Sequence, residues 1–270
     1  TGQQQACLVR STAMMAGVVV ATGFLCNFVA RGVIDTFMVF ILPLETEFGW
    51  TRSMLTGVYS GYLIVAGLMS PLAGKLLDDC GPRWIYGAGL AMLAAGMYGA
   101  SFATSLWHIY LFHGVFGGIA ASCLGIVPAA ALIGRWFDHK LSLAIAFAYA
   151  GFGSGILVIV PLVQSIIDMD GWRHAYRTTG VALALLLPVL LVLPWRRIAS
   201  GAPSLIAARN NVPPDAVGSV TPQSTRSNKG GWTVRTAMGT AEFWLLVQCF
   251  FFTACSTYSI IVQTISFLVD

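Results

Sequence analysis

Charge is what this chain has least of. Among 270 residues there are 15 Lys or Arg and 11 Asp or Glu, or 10% of the total, where a soluble domain carries about a quarter. A soluble globular domain is therefore excluded, and so is a basic nucleic-acid footprint, since the net charge is only +4 and no Lys/Arg cluster stands out. Cysteine is sparse as well. Cys7, Cys26, Cys80, Cys123, Cys249 and Cys255 form no Cys-x-x-Cys pair and have no histidine at metal-ligand spacing, so a zinc site is not expected. Most of them fall inside apolar runs, where a free thiol behaves as a small apolar group. No nucleophile triad, phosphate loop or metal cluster is legible, and neither an enzyme nor a bound cofactor is expected.

What is present is hydrocarbon. The chain is 57% hydrophobic with a mean hydropathy of +0.77. No Asp, Glu, Lys or Arg occurs at 11–30, 53–74, 84–134, 141–167, 178–195 or 243–269. A helix crosses about 30 Å of lipid with roughly 20 apolar residues, so five of these runs each hold one span and the run 84–134 holds two. The pattern predicts an all-α membrane protein with seven helices over about 17–42, 54–72, 84–103, 107–133, 141–166, 179–193 and 243–268. Trp84, Trp107, Trp136, Trp195 and Trp244 fall at predicted ends, as an interfacial aromatic belt requires. The first run continues past the length of a signal-peptide core and is read as a span.

Orientation follows from Lys and Arg. Arg10, Lys75, Arg83, Arg135, Lys140, Arg196, Arg197, Arg209, Arg226, Lys229 and Arg235 lie on one side, against Arg52, Arg173 and Arg177 on the other. That asymmetry predicts a cytoplasmic N-terminus in a plasma or inner membrane, and it argues against a seven-helix receptor, which needs the opposite topology. Residues 196–241 are long and rich in Pro, Gly, Ser and Asn, the composition of a flexible connector. The organisation expected is a six-helix half at 1–195, a linker at 196–241 and the first helix of a second half at 242–270. The first residue is Thr and the last follows a span, so the chain reads as part of a longer two-half protein.

Several groups can carry chemistry. Arg31 and Asp35 lie inside the first span at i, i+4 spacing, and ionised groups at that depth face a cavity or a partner. Two readings are open: Arg31 attracts an anion while Asp35 exchanges a proton, or the two neutralise each other structurally. His113 in the fourth helix can titrate near neutrality, although a lone helix histidine is first a packing residue. Tyr59, Tyr62, Tyr149 and Gln164 are polar groups within spans, able to line a pathway or to bond neighbouring helices. Gly114, Gly117, Gly118, Gly151, Gly153 and Gly155 suit close helix contact, and Pro161 suits a kink. Between the second and third spans, the stretch 74–83 must turn the chain at a membrane surface, with Gly81 for the turn and Pro82 to start a helix. Asp78 and Arg83 lie near one another there.

Gly74-x-x-x-Asp78-x-x-Gly81-x-Arg83 resembles the signature loop of the major facilitator superfamily, with Asp79 and Pro82 at positions that are usually basic. Within that superfamily four stretches resemble the monocarboxylate porters and the oxalate/formate exchangers. They are Phe37-x-Val39-Phe40-x-x-Pro43-Leu44-x-x-x-Phe48-Gly49-Trp50-x-Arg52; Gly134-Arg135-Trp136-Phe137-Asp138-x-Lys140; Ala150-Gly151-x-Gly153-Ser154-Gly155 with Pro161-Leu162; and Gly171-Trp172-Arg173. The resemblance implies the N-terminal six-helix half of a major facilitator fold, with the central loop and helix 7. It implies alternating-access transport of small organic anions, by proton coupling or exchange, with Gly74, Asp78, Gly81 and Arg83 latching an inner gate. The porters' substrate-gripping charge pair in helix 8 would lie beyond Asp270. The alternatives are transport of another small solute and a fragment that does not transport.

Overall fold

A computed structural model describes residues 2–137, 140–201, 239–253 and 256. Asp138, the linker at 202–238 with Arg209, Arg226, Lys229 and Arg235, and the expected seventh helix beyond 253 (save 256) lie outside the described residues. Among the described residues there is no strand. Residues 1–212 form one compact unit, built of six helical passes.

The first pass is a helix with a break. α1 runs Gly2–Asp35 and α2 runs Phe37–Phe48, so the pass extends beyond the expected 17–42 at both ends. At the break the Thr36 hydroxyl donates to the Val33 carbonyl at 2.6 Å, a side chain competing with the helix ladder. Gly49, at φ 66°, closes α2. The Thr51 hydroxyl then caps α3, Arg52–Cys80, which outruns its expected end at 72. Gly81 at φ 82° turns the chain and Pro82 opens α4, Pro82–Ala100.

The fourth pass departs most from expectation. Instead of one α-helix over 107–133 it comprises α5 (Leu106–Ile109), a π-helical segment (Tyr110–Phe116), α6 (Gly117–Leu124) and α7 (Ile126–Ile133), with a break at Gly125. Wide π turns of this kind concentrate at functional positions. α8 spans Leu141–Asp170 with Pro161 inside it, and α9 spans Trp172–Val192. The sixth pass thus starts seven residues before its expected 179, because Gly171 turns the chain directly into it.

Passes one, two, four, five and six are long and apolar enough to cross a membrane. α4 has 19 residues, but its glycines, tyrosines and Trp84 dilute its apolarity. The bundle exposes apolar side chains, including Leu68, Leu157 and Val192, which suits a hydrocarbon solvent. Within the apolar windows, 61% of the first pass and 50% of the fourth are buried, against 17–22% for the others. The two broken helices are thus more buried than the second, fifth and sixth passes, and the third pass, α4, is heavily buried as well.

Small residues set the helix crossings. α1 packs chiefly on α8, α4 on α9 and α3 on α6. A Cβ at Gly155 would lie 2.2 Å from the Phe28 carbonyl oxygen, and one at Gly151 would lie 2.4 Å from that of Phe24. Gly118 is closed in the same way by Val65 at 2.7 Å. Gly114 has only ordinary contacts, and Gly117 and Gly153 face open space. No neighbour among the described residues would clash with a Cβ at those three positions, although Gly114 and Gly117 are buried.

The expected linker does not begin as a free segment. α10, Trp195–Ser200, docks on the bundle: the Trp136 Nε1–H donates to Ile198 O at 2.8 Å, and Trp195 stacks on Tyr86 at 5.4 Å. The second unit, residues 213–270, shows an apolar helix, α11, at Ala241–Thr253.

Candidate functional site

Arg31 and Asp35, the only charged residues at 11–44, meet just before the break of the first pass. An Arg31 guanidinium nitrogen lies 3.2 Å from a carboxylate oxygen of Asp35, one helical turn on. Side-chain exposures of 19% and 11% show both groups largely withdrawn from the surface. At such depth an unpaired charge is costly, and the surrounding groups answer both charges. Arg31 Nη1 donates to the Tyr62 hydroxyl at 2.9 Å, and the Tyr59 hydroxyl donates to Asp35 at 3.0 Å. Tyr59 and Tyr62 come from one face of α3, with ring centroids 5.3 Å apart. From α8, the Phe152 ring lies 5.3 Å from the guanidinium carbon, a cation–π distance.

Three helices thus converge on one ion pair. Tyr149 joins through Phe152, its ring stacked at 5.7 Å. This arrangement gives Arg31 a set of weak, exchangeable partners: a carboxylate, a phenol and a ring face. An incoming carboxylate can replace Asp35 without stripping the guanidinium of its other contacts. Phe152 was not singled out in the sequence, although it occupies the unspecified position of Ala150-Gly151-x-Gly153; its only signal is an aromatic residue amid glycines.

The other expected site residues lie elsewhere. His113, in the π-helical segment, is enclosed, with its ring 4.5 Å from that of Phe37 and facing the Ile34 backbone. Its Nε2 has no hydrogen-bond partner among the described residues. It packs at the break of the first pass, across from the turn that carries Arg31. Gln164 donates to Asp168 at 2.7 Å on its own helix. It lies twelve residues beyond Phe152 on α8, or about 18 Å along the axis, so it stands apart from the Arg31 cluster and makes an i, i+4 side-chain pair on its own helix.

At the Gly81 turn, Asp78 does not pair with nearby Arg83. Its partner is Arg135 at the end of the fourth pass, 3.2 Å away, and Arg135 also donates to Ala199 O of α10 at 3.4 Å. Arg83 is exposed and makes no ion pair among the described residues. A Cβ at Gly74 would lie 3.8 Å from Val127 Cγ1, an ordinary contact. No group of three or more His, Cys, Asp or Glu that could hold a metal occurs among the described residues.

The family model that matches residues 23–270 is that of the Major Facilitator Superfamily. The chain belongs to the major facilitator superfamily. That is a family of multi-pass membrane transporters, and helices α1–α9 are the six-helix half of its fold. Over 157 residues it is 32% identical to Monocarboxylate transporter 13 of Rattus norvegicus, covering 58% of this chain and 36% of the relative. Over 181 residues it is 30% identical to Monocarboxylate transporter 12 of Homo sapiens, covering 64% of this chain and 35% of the relative. It is also 27% identical to the Uncharacterized MFS-type transporter YcxA of Bacillus subtilis, covering 58% of this chain and 39% of that protein. The chain thus spans little more than a third of the length of these relatives.

Proposed function

We propose that this major facilitator chain handles a small organic anion of the monocarboxylate kind, by alternating access, with Arg31 as the anion-binding group. The observation that supports this reading is the Arg31–Asp35 pair set among Tyr59, Tyr62 and Phe152. The names of the relatives agree with it. The N-terminus and the Gly81 turn are cytoplasmic in this reading, as the Lys/Arg asymmetry of the loops requires.

Coupling to protons follows from charge. With Asp35 ionised, Arg31 is neutralised from within and a substrate carboxylate must compete with it. A proton on Asp35 removes that competitor, and Arg31 can then pair with the substrate. Proton and anion are thereby favoured together, which gives symport or proton-linked exchange. The Gly81 turn with Asp78 acts at the inner gate, and the rest of the pathway belongs to a second half.

Uptake of radiolabelled lactate, oxalate and formate into proteoliposomes, with and without an inward pH gradient, tests the reading. Saturable uptake of one of them, lost in Arg31→Gln, is the expected result. Equal uptake by parent and Arg31→Gln overturns it.

A further inference from the structure

Residues 59–86 recur 90 positions later. Tyr59-x-Gly61-Tyr62 returns as Tyr149-x-Gly151-Phe152, and Pro71-Leu72 returns as Pro161-Leu162. Leu77-Asp78-x-x-Gly81-x-Arg83-x-x-Tyr86 returns as Ile167-Asp168-x-x-Gly171-x-Arg173-x-x-Tyr176. The backbone repeats as well. Gly81 and Gly171 share φ 82° and ψ 164°. Their N–H groups bond to Leu77 O and Ile167 O at 3.1 and 2.9 Å, and a helix begins at the next residue each time. Tyr86 and Tyr176 are both fully buried, with hydroxyls that have no partner among the described residues. The breaks at Thr36 and Gly125 fall at the same place in the two copies to within one residue. Each copy contains three passes, so the second runs inverted, and the Gly171 turn lies at the opposite face of the membrane from the Gly81 turn.

The ion pairs cross between the copies. At the Gly81 face, Asp78 of the first copy pairs with Arg135, at the end of the second copy's first helix. At the Gly171 face, Arg173 of the second copy pairs with Glu47, at the end of the first copy's first helix, and Trp172 Nε1–H donates to the other Glu47 oxygen. The two pairs use different positions of the repeat, since Asp78 corresponds to Asp168 and Arg173 to Arg83, yet each ties its turn to the end of the other copy's first helix. Each turn's tyrosine also stacks: Tyr86 on Trp195 at 5.4 Å, and Tyr176 on Phe40 at 3.8 Å.

Glu47 and Phe40 both belong to α2, the piece of the first helix beyond its break. The Gly171 turn therefore holds α2 at its middle and its tip. Arg173 adds contacts over the Phe48 and Trp172 rings at 5.7 and 4.3 Å. Asp35 is the last residue before the break, so the placement of α2 governs access to the ion pair from that side. The Arg173 and Glu47 side chains are 39% and 41% exposed, and a pair in that setting is weak enough to open and reform.

We propose that Glu47, Trp172 and Arg173 form an outer latch: they clasp the outer piece of helix 1, and their release opens the Arg31–Asp35 pair to the outer side. The latch ties a turn to the other copy's first helix, as the Asp78–Arg135 pair does at the inner face, and it rests on the alternating-access reading above. Its occupant is internal to the chain, and no further partner is required.

The test is site-directed labelling of the membrane-inserted full chain. The six native cysteines are replaced, Ile41→Cys is introduced on the buried face of α2, which the closed latch shields, and a membrane-impermeant maleimide is added outside. Glu47→Gln and Arg173→Gln are expected to raise the labelling rate about two- to fivefold, the range open to a half-exposed pair. The exchange Glu47→Arg with Arg173→Glu is expected to return it to the parent rate, and Asp78→Asn should not raise it. Equal rates in the parent and both single variants overturn the latch, as does an equal rise in Asp78→Asn. If Arg173→Gln fails to reach the membrane, Arg173→Lys replaces it; this keeps the charge but loses the fork that reaches Glu47, and the same rise is expected. Labelling requires no substrate. A transporter with saturable uptake but unchanged labelling defeats the latch alone, while altered labelling without uptake of any tested anion defeats the transport reading alone.

Discussion

The guanidinium carbon of Arg31 lies 5.3 Å from the centre of the Phe152 ring, so a charge carried by the first helix is cushioned by the fifth. Together with the bond to Tyr62 on α3, that contact leaves the guanidinium well supported on two flanks. Its third partner, Asp35, is a titratable group. In the proposed mechanism, a proton on Asp35 switches that contact off.

Asp35→Asn imitates the protonated state permanently. Uptake driven by a pH gradient is expected to lose its dependence on that gradient, while anion exchange persists. Paired measurements of gradient-driven uptake and counterflow check this, and coupling that survives intact in Asp35→Asn contradicts the mechanism.

Arg31→Gln removes the positive charge, and Arg31→Lys keeps it while losing the planar fork. A charged hydrogen bond contributes about 1.5–3 kcal/mol, so the Gln variant should weaken anion binding at least tenfold and the Lys variant by less. Half-saturation constants measured side by side decide it. Equal losses would point to a folding role for the guanidinium.

Tyr62→Phe deletes the 2.9 Å contact to Arg31 and makes the α3 position match Phe152. It should raise the half-saturation constant several-fold while changing the detergent melting temperature little, because the ring remains buried. Tyr59→Phe removes the hydroxyl that donates to Asp35 and should shift the pH profile of uptake. A Tyr59→Phe profile identical to the parent's would show that this hydroxyl does not influence the proton site.

Gly155→Ala and Gly153→Ala separate packing from propensity. A methyl at Gly155 would sit 2.2 Å from the Phe28 carbonyl oxygen, whereas at Gly153 it meets nothing within 4 Å. The first should destabilise by about 1–3 kcal/mol. The second should be neutral, or stabilising by up to about 1 kcal/mol as Gly leaves a helix interior. Thermal unfolding in detergent reads both.

Much of this molecule was legible in one dimension. Hydrocarbon imposes its cost residue by residue, so charge-free runs announced the passes and the i, i+4 spacing of Arg31 and Asp35 announced their pairing. Backbone breaks were less visible. Thr36 carries no proline or glycine flag, and the π-helical turn at 110–116 depends on how the fourth pass packs against α3 and α4.

The sequence alone determined the helical class, the number of apolar runs and the family likeness, because each rests on local transfer energies or on short motifs. Only the tertiary structure decided that Tyr62 and Phe152 share Arg31, that Asp78 chooses Arg135 over Arg83, and that His113 is enclosed against Phe37. Those outcomes depend on how helices distant in sequence cross. The crossings are set by close contacts such as Gly151 and Gly155 against α1, which no local pattern encodes.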